Sequence, residues 1–231
     1  MIKVNFKANL RSWHHFFLEH GVYPVFFSAL LIVPLYAYPL YRAGYLVHRP
    51  LLWNFFLATI PYPCALLAAY LHGRFPKRWL YLIIPSTIWL AFLPNAPYLV
   101  TDVVHFRTYF FRSLWHEVIS MVALVWTGLF IAIYSIRTMQ YIIKDYTNTV
   151  LSWVFVIIIL LLNGLGVYLG RFLRWNSWDL ITNPDRILDD ATVLFNGSRG
   201  SLVSLLFVIQ MAIFMLICYL TITITYPQKR V

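Results

Sequence analysis

The chain has 231 residues, of which 61% are hydrophobic, 19% aromatic and only 11% charged. Soluble domains average about 45–50% apolar and about 25% charged residues, and a soluble fold of this size could not bury so much apolar surface. The composition therefore excludes a secreted disulfide scaffold, a disordered chain and an ordinary soluble enzyme. The net charge of +10 lies in short segments between apolar runs, which is typical of a polytopic membrane protein and not of a nucleic-acid-binding one.

Six apolar runs are long enough to cross about 30 Å of hydrocarbon as helices. They are Val22–Tyr41, Leu51–Leu71, Trp79–Val100, Val118–Ile136, Val150–Gly170 and Leu202–Thr225. We therefore predict an all-α fold, a polytopic bundle of six transmembrane helices. Residues 1–21 would form a basic interfacial segment, 22–225 a single transmembrane domain and 226–231 a short tail.

The distribution of lysine and arginine predicts that both termini are cytoplasmic. The termini together with the second and fourth loops carry ten of these residues, and the other three loops carry eight. Half of those eight lie in the long fifth loop, and long loops count less toward orientation. Six of the eight acidic residues then lie on the outer side, where we expect the functional chemistry.

The first candidate segment, residues 92–105, begins with two prolines three residues apart, Pro94 and Pro97. Proline biases the preceding residue away from helix and removes a backbone donor. We therefore expect the third span to break near its outer end. Asn95, between the prolines, can cap or coordinate at that break.

Asp102 and His105 follow the break with a spacing of three, so both lie on one face if residues 98–106 are helical. A carboxylate and an imidazole on one face can ligate a divalent metal or act as a general acid–base pair. Alternatively, Thr101 or Asp102 caps an interfacial turn while His105 and Tyr98 lie in the headgroup belt. A metal site would also need a third protein ligand.

The second candidate segment, residues 164–179, starts with Gly166 and Gly170, a small-residue face that lets another helix approach closely. A helix that continued beyond them would carry two arginines and two tryptophans on one stripe: Arg171, Arg174, Trp175 and Trp178. Such a stripe can hold a phosphate or carboxylate, or it can be an aromatic belt with snorkelling arginines. Three further polar residues favour ligand binding: Asn176, Ser177 and Asp179.

A short amphipathic helix is predicted after the second segment. Asn183, Pro184 and Asp185 form a helix start signal. The apolar residues that follow would share one face: Ile187, Leu188, Ala191, Leu194 and Phe195. We expect this helix at the outer interface, where it is either a lid over the site or simply packed against it.

The first functional hypothesis is a membrane-embedded enzyme or binding protein with an outward-facing site for an anionic lipid headgroup or a lipid-linked envelope precursor. An enzyme of this kind would catalyse hydrolysis or group transfer. The candidate catalytic residues are Asp102, His105 and Asp179, of which Asp102 and His105 are also candidate ligands of a divalent metal. The candidate ligand-binding residues are Asn95, Tyr98, Arg171, Arg174, Trp175, Asn176 and Trp178.

The second hypothesis is a non-catalytic scaffold or an accessory subunit of another membrane protein, in which Arg171 pairs with Asp102 or Asp179 to join helices. The third is a channel or carrier. It is disfavoured because none of the six span interiors contains a charged residue or histidine and no internal repeat is present. The polar residues inside the spans are expected to form interhelical hydrogen bonds: Asn54, Asn163 and Gln210.

The string FLPNAPY at residues 92–98, which runs into Thr101, Asp102 and His105, and the string GRFLRWNSWD at 170–179 resemble the domain-of-unknown-function 1361 (DUF1361) family. The members of this family are small integral membrane proteins. The resemblance covers the chain from about the second span to the last. It implies a bacterial multi-span protein of similar length and no established activity, substrate or cofactor. We accordingly expect the chain in the bacterial inner membrane.

Overall fold

The computed structural model describes residues 6–43, 49–76, 78–105, 114–194, 196 and 198–225, and within them it contains helices and no strand. Short 3-10 turns, Trp79–Leu82 and Asp102–His105, precede α5 and follow α6. The α-helices in chain order are α1 (Phe6–Glu19), α2 (Val22–Ala43), α3 (Arg49–Thr59), α4 (Pro61–Arg74), α5 (Ile83–Phe92), α6 (Asn95–Thr101), α7 (Leu114–Tyr146), α8 (Thr149–Phe172), α9 (Asp179–Thr182), α10 (Pro184–Val193) and α11 (Arg199–Thr225).

Five stretches among the described residues are long and apolar enough to cross a membrane, and α1 with α2 would supply a sixth as one pair bent by 76°. The five are Pro50–Arg74, Trp79–Val104, Trp115–Tyr146, Thr149–Phe172 and Arg199–Thr225. The chain is therefore a helical, multi-pass membrane protein, which confirms the fold class predicted from composition. Two of the spans are composite: α3 continues into α4, and α5 continues into α6.

The central helix of the bundle is α7. Its span is 67% buried, whereas the other four spans are 28–39% buried, because α2, α4, α6 and α8 all pack against it. The helix runs on past Ile136, the predicted end of the fourth span, to Tyr146. It therefore contains Arg137, which is only 8% exposed. The prediction of a charge-free interior is wrong for this helix, since hydropathy alone ends a run at its first charge.

The predicted break in the third span is a tight turn. The helix α5 ends at Phe92, Leu93 and Pro94 form the turn, and α6 begins at Asn95. Leu93 and Pro94 both keep helical backbone angles, so the expectation that Leu93 leaves the helical region is wrong. Pro97 lies in the first turn of α6, where its missing N–H breaks no helix hydrogen bond.

Two glycines let the neighbouring helices press against α6 from both sides. A Cβ atom at Gly128 of α7 would lie 2.6 Å from the carbonyl oxygen of Ala96, and one at Gly166 of α8 would lie 2.4 Å from Pro94 Cγ. Both separations are shorter than a van der Waals contact, so a side chain at either position would push the helices apart. The close approach predicted at Gly166 is therefore present, and it packs the α6 end of the composite span tightly between α7 and α8.

The amphipathic helix predicted after the second segment is α10. Ile187 and Leu194 are buried, as expected for its apolar face, but Leu188 is 64% exposed, so fewer residues of this face are buried than predicted. Phe195, also predicted on this face, lies outside the described residues. Asn183 precedes the helix without a side-chain cap; its amide donates instead to Thr182 Oγ1 at 3.0 Å. Contacts with α8 and α9 hold α10 at the same end of the bundle as the end of α6.

Candidate functional site

At one end of the bundle a buried carboxylate joins the middle of α3, the end of α6 and the end of α8. Asp102 is only 1% exposed. Its Oδ2 accepts a hydrogen bond from Asn54 Nδ2 at 3.0 Å, and its Oδ1 accepts one from Arg171 Nη2 in an ion pair. Both carboxylate oxygens are thus engaged by side chains from two other helices.

Arg171 is also held by two groups on α6. Its Nε donates to Thr101 Oγ1 at 2.8 Å, and its Cζ lies 4.2 Å from the centre of the Tyr98 ring, a geometry for cation–π attraction. The guanidinium is therefore fixed in position by an ion pair, a hydroxyl and an aromatic face. Of the two partners that the sequence left open for Arg171, Asp102 and Asp179, the structure shows Asp102.

The structure describes the surroundings of only one of the two predicted metal ligands, Asp102 and His105. Among the described residues, no group of three His, Cys, Asp or Glu side chains is close enough to hold a metal ion. Asp102 is engaged by Arg171 and Asn54, and the side chain of His105 lies outside the described set. A metal at these two residues stays a prediction.

The helix α8 ends at Phe172, so the stripe predicted for the two arginines and two tryptophans on a continued helix is wrong. Arg174 follows in the left-handed region with φ of 62°, and Trp175 N donates back to Leu169 O at 3.2 Å. Glycine is the usual residue where a helix ends in this way. The periodicity of the sequence could not reveal the end, because an arginine occupies the position.

A cavity of about 460 Å³ lies beside the ion pair, within the volume range of small-molecule sites. Part of its wall is apolar, from residues of α3, α8, α9 and α10 and of the α5–α6 turn. Among the described residues, the rest of the wall is polar or aromatic and contains two arginines but no acidic side chain. The lining residues are Trp53, Asn54, Leu57, Ala91, Pro94, Asn95, Tyr98, Gly166, Leu169, Gly170, Arg171, Arg174, Trp175, Asn176, Ser177, Leu180 and Ile187.

The cavity wall is held by hydrogen bonds between the two candidate segments. Asn95 Nδ2 donates to Phe92 O at 3.0 Å and to Ser177 Oγ at 2.8 Å. Trp175 Nε1 donates to Asp190 Oδ2 of α10 at 2.7 Å. Because Ile187 of α10 lines the cavity, the indole bond keeps this helix across one side of it.

Two further predicted site residues, Asp179 and Trp178, lie beside the cavity and, like Asp102, do not line it. Asp179 accepts from Asn176 N at 2.8 Å, from Asn176 Nδ2 at 3.2 Å and from Thr182 Oγ1 at 3.3 Å, so its carboxylate organises the turn into α9. Trp178 is 42% exposed. The catalytic role predicted for Asp179 stays a prediction.

Two further residues shape the site and were not among the predicted site residues. Asn54 was expected to form an interhelical hydrogen bond, and it does so with Asp102. The same expectation is wrong for Asn163, whose buried amide has no hydrogen-bond partner among the described residues. A single amide side chain in an apolar run indicates that the residue lies within the membrane span, but it does not indicate which residue it bonds to. Trp53, beside Asn54, lines the cavity; a tryptophan near a span end looks like any interfacial anchor, so the sequence carried no signal for its role.

Comparison with protein families identifies one match, to a model described as a protein of unknown function (DUF1361), over residues 53–218. The matched region runs from within α3 into α11 and includes every cavity-lining residue. No curated protein and no solved structure matches the chain. The buried ion pair, the turn after α8 and the cavity between them thus all fall within the match, and the chain belongs to the DUF1361 family.

Proposed function

We propose that the cavity binds the anionic headgroup of an amphiphile, such as a lipid or a lipid-linked envelope precursor. The observation that carries this proposal is the charge of the lining, which contains Arg171 and Arg174 and no acidic residue. Guanidinium groups match the oxygens of phosphate and carboxylate in geometry and charge. The apolar part of the wall suits the first carbons of a chain attached to that headgroup.

The two arginines have different roles in this proposal. Arg171 is already neutralised by Asp102 and positioned by Thr101, so it supports the wall. Arg174 is exposed, and among the described residues, which include all the acidic ones, no side chain forms an ion pair with it. Arg174 is therefore the residue with which an anionic ligand would form an ion pair.

The test is lipid binding to the purified protein, measured by native mass spectrometry or by titration in phosphatidylcholine nanodiscs. Phosphatidylglycerol should bind in preference to phosphatidylcholine, and Arg174→Gln should weaken that binding about tenfold, since a hydrogen bond to a charged group contributes about 1.5–3 kcal/mol. Arg186→Gln is the matched control, because it removes the same charge from α10 without touching the cavity lining. Equal binding of the two lipids by the wild-type protein would contradict the proposal.

The proposal includes an orientation, with both termini in the cytoplasm and the cavity facing outward across a bacterial inner membrane. The support is the excess of basic residues in the termini and the second and fourth loops. A phosphatase reporter that is active only in the periplasm, fused after Val231, should be inactive, and the same reporter inserted in the fifth loop should be active. An active fusion at Val231 would place the cavity on the cytoplasmic side.

A second candidate function is a non-catalytic scaffold or accessory subunit. It is favoured by the network of Asp102, Arg171 and Asn54, which joins three helices and would serve a purely structural bundle equally well. In that case no lipid would be preferred in the binding test.

A chemical role for Asp102, His105 and Asp179 with a divalent metal is a further proposal, and elemental analysis of wild-type and Asp102→Ala protein would reveal or exclude it.

A further inference from the structure

We propose that the headgroup held by the cavity is a polyol phosphate, one that presents hydroxyl donors as well as an anion. This inference rests on the proposed function, since it specifies the ligand of the same cavity. It comes from the direction of the hydrogen bonds in the cavity wall, which leaves acceptors beside the cationic Arg174. A glycerol phosphate or a phosphosugar carries both an anion for the arginine and hydroxyl donors for the acceptors.

Asn95 supplies the first acceptor. Its Nδ2 donates to Phe92 O at 3.0 Å, and because a carbonyl oxygen only accepts, this bond fixes which end of the amide is nitrogen. The second hydrogen of the same nitrogen goes to Ser177 Oγ at 2.8 Å. With both donors used, Asn95 has only its Oδ1 to offer to the cavity that it lines.

Asn176 supplies the second acceptor. Its backbone N and its Nδ2 both donate to Asp179 Oδ2, at 2.8 Å and 3.2 Å, and a carboxylate fixes the orientation of the amide in the same way. Its Oδ1 is left as an acceptor. Ser177, between these residues in the wall, accepts from Asn95 and keeps its own hydroxyl hydrogen for a ligand.

This pattern discriminates between headgroups. A bare phosphate ester has only acceptor oxygens, which suit Arg174 and the Ser177 hydroxyl but leave the two amide oxygens facing other acceptors, at the cost of an unsatisfied polar group. Choline has no N–H or O–H donor. Ethanolamine has donors but places a second cation beside Arg174. A polyol phosphate puts its anion at Arg174 and its hydroxyls at Asn95 and Asn176.

The experiment compares phosphatidylglycerol with phosphatidylmethanol, which has the same chains and the same single negative charge but a methyl group in place of glycerol. The probes are each added to the full-length protein in phosphatidylcholine nanodiscs, and the dissociation constants are measured. We expect phosphatidylglycerol to bind about tenfold more tightly, as two neutral hydrogen bonds allow. Soluble glycerol 3-phosphate, added as a competitor, distinguishes a free ligand, which it would mimic, from a lipid, which it would not displace.

Asn176→Leu and Asn95→Leu each remove one acceptor, and both should lower the affinity for phosphatidylglycerol toward that for phosphatidylmethanol. The affinity for phosphatidylmethanol should fall less than that for phosphatidylglycerol, so the ratio between the two affinities should shrink in each variant. Asn176 is exposed, so its variant keeps the test informative if the loss of the Asn95 bonds prevents folding. Equal binding of the two anionic lipids by the wild-type protein overturns the inference and leaves the proposed function standing. Binding of neither in preference to phosphatidylcholine overturns both.

Discussion

Replacing Arg171 with glutamine is expected to lower the free energy of unfolding by about 3–5 kcal/mol. The side chain of Asp102 is 2% exposed and that of Arg171 15%, so removal of the cation leaves a carboxylate buried with only the amide of Asn54 to stabilise its charge. The measurement is unfolding in mixed detergent micelles, followed by tryptophan fluorescence. The loss should be large because the pair joins α8 to the turn after α6, and Asn54 of α3 bonds to the same carboxylate.

Two controls separate this ion pair from charge effects in general. His72→Gln removes the contact between His72 Nε2 and Asp145 Oδ2, 3.1 Å long and with a 43% exposed carboxylate. Exposed pairs contribute little, so we expect at most about 1 kcal/mol there. The double variant Asp102→Leu with Arg171→Met should recover much of the stability lost in the single variant, since an apolar pair leaves no buried charge. A single variant as stable as the wild type would show that the pair does not hold the bundle.

The parts of the fold that follow from local chemistry could be predicted from the sequence. Apolar run length locates the spans, and the prolines at 94 and 97 locate the break between α5 and α6, because both effects act within a few residues. The pairing of Arg171 with Asp102 could be stated only as one of two alternatives. These residues are 69 positions apart, and their contact depends on how α6 and α8 pack at Gly166.

The parts that could not be predicted depend on the end of a helix or on a distant partner. Arg174 was predicted on the helical stripe of α8 because nothing in the run from Gly170 onward resembles a helix terminator. The chain ends the helix there by holding a non-glycine residue at φ of 62°. The cavity exists because of that turn: it brings Asn176 and Ser177 back toward Asn95, which periodicity cannot show.

Replacing Arg174 with glycine is expected to separate stability from ligand binding. A left-handed backbone costs an L-residue about 1–2 kcal/mol, which glycine avoids, although glycine also loses more chain entropy on folding. The free energy of unfolding should therefore stay the same or rise by up to about 1 kcal/mol, while binding of phosphatidylglycerol should fall about tenfold with the guanidinium. Both quantities can be measured on the same preparation in nanodiscs and micelles.

Arg186→Gly is the matched comparison, and it should give the opposite pattern. Arg186 lies in the first turn of α10 and is exposed, so glycine there should cost up to about 1 kcal/mol of stability and leave lipid binding unchanged. A strained backbone at a residue beside a cavity, such as the left-handed conformation of Arg174, is typical of a position where the side chain has a function. If Arg174→Gly bound the lipid as the wild type does, the guanidinium would have no role in the cavity, and the structural interpretation of this end of the bundle would be preferred.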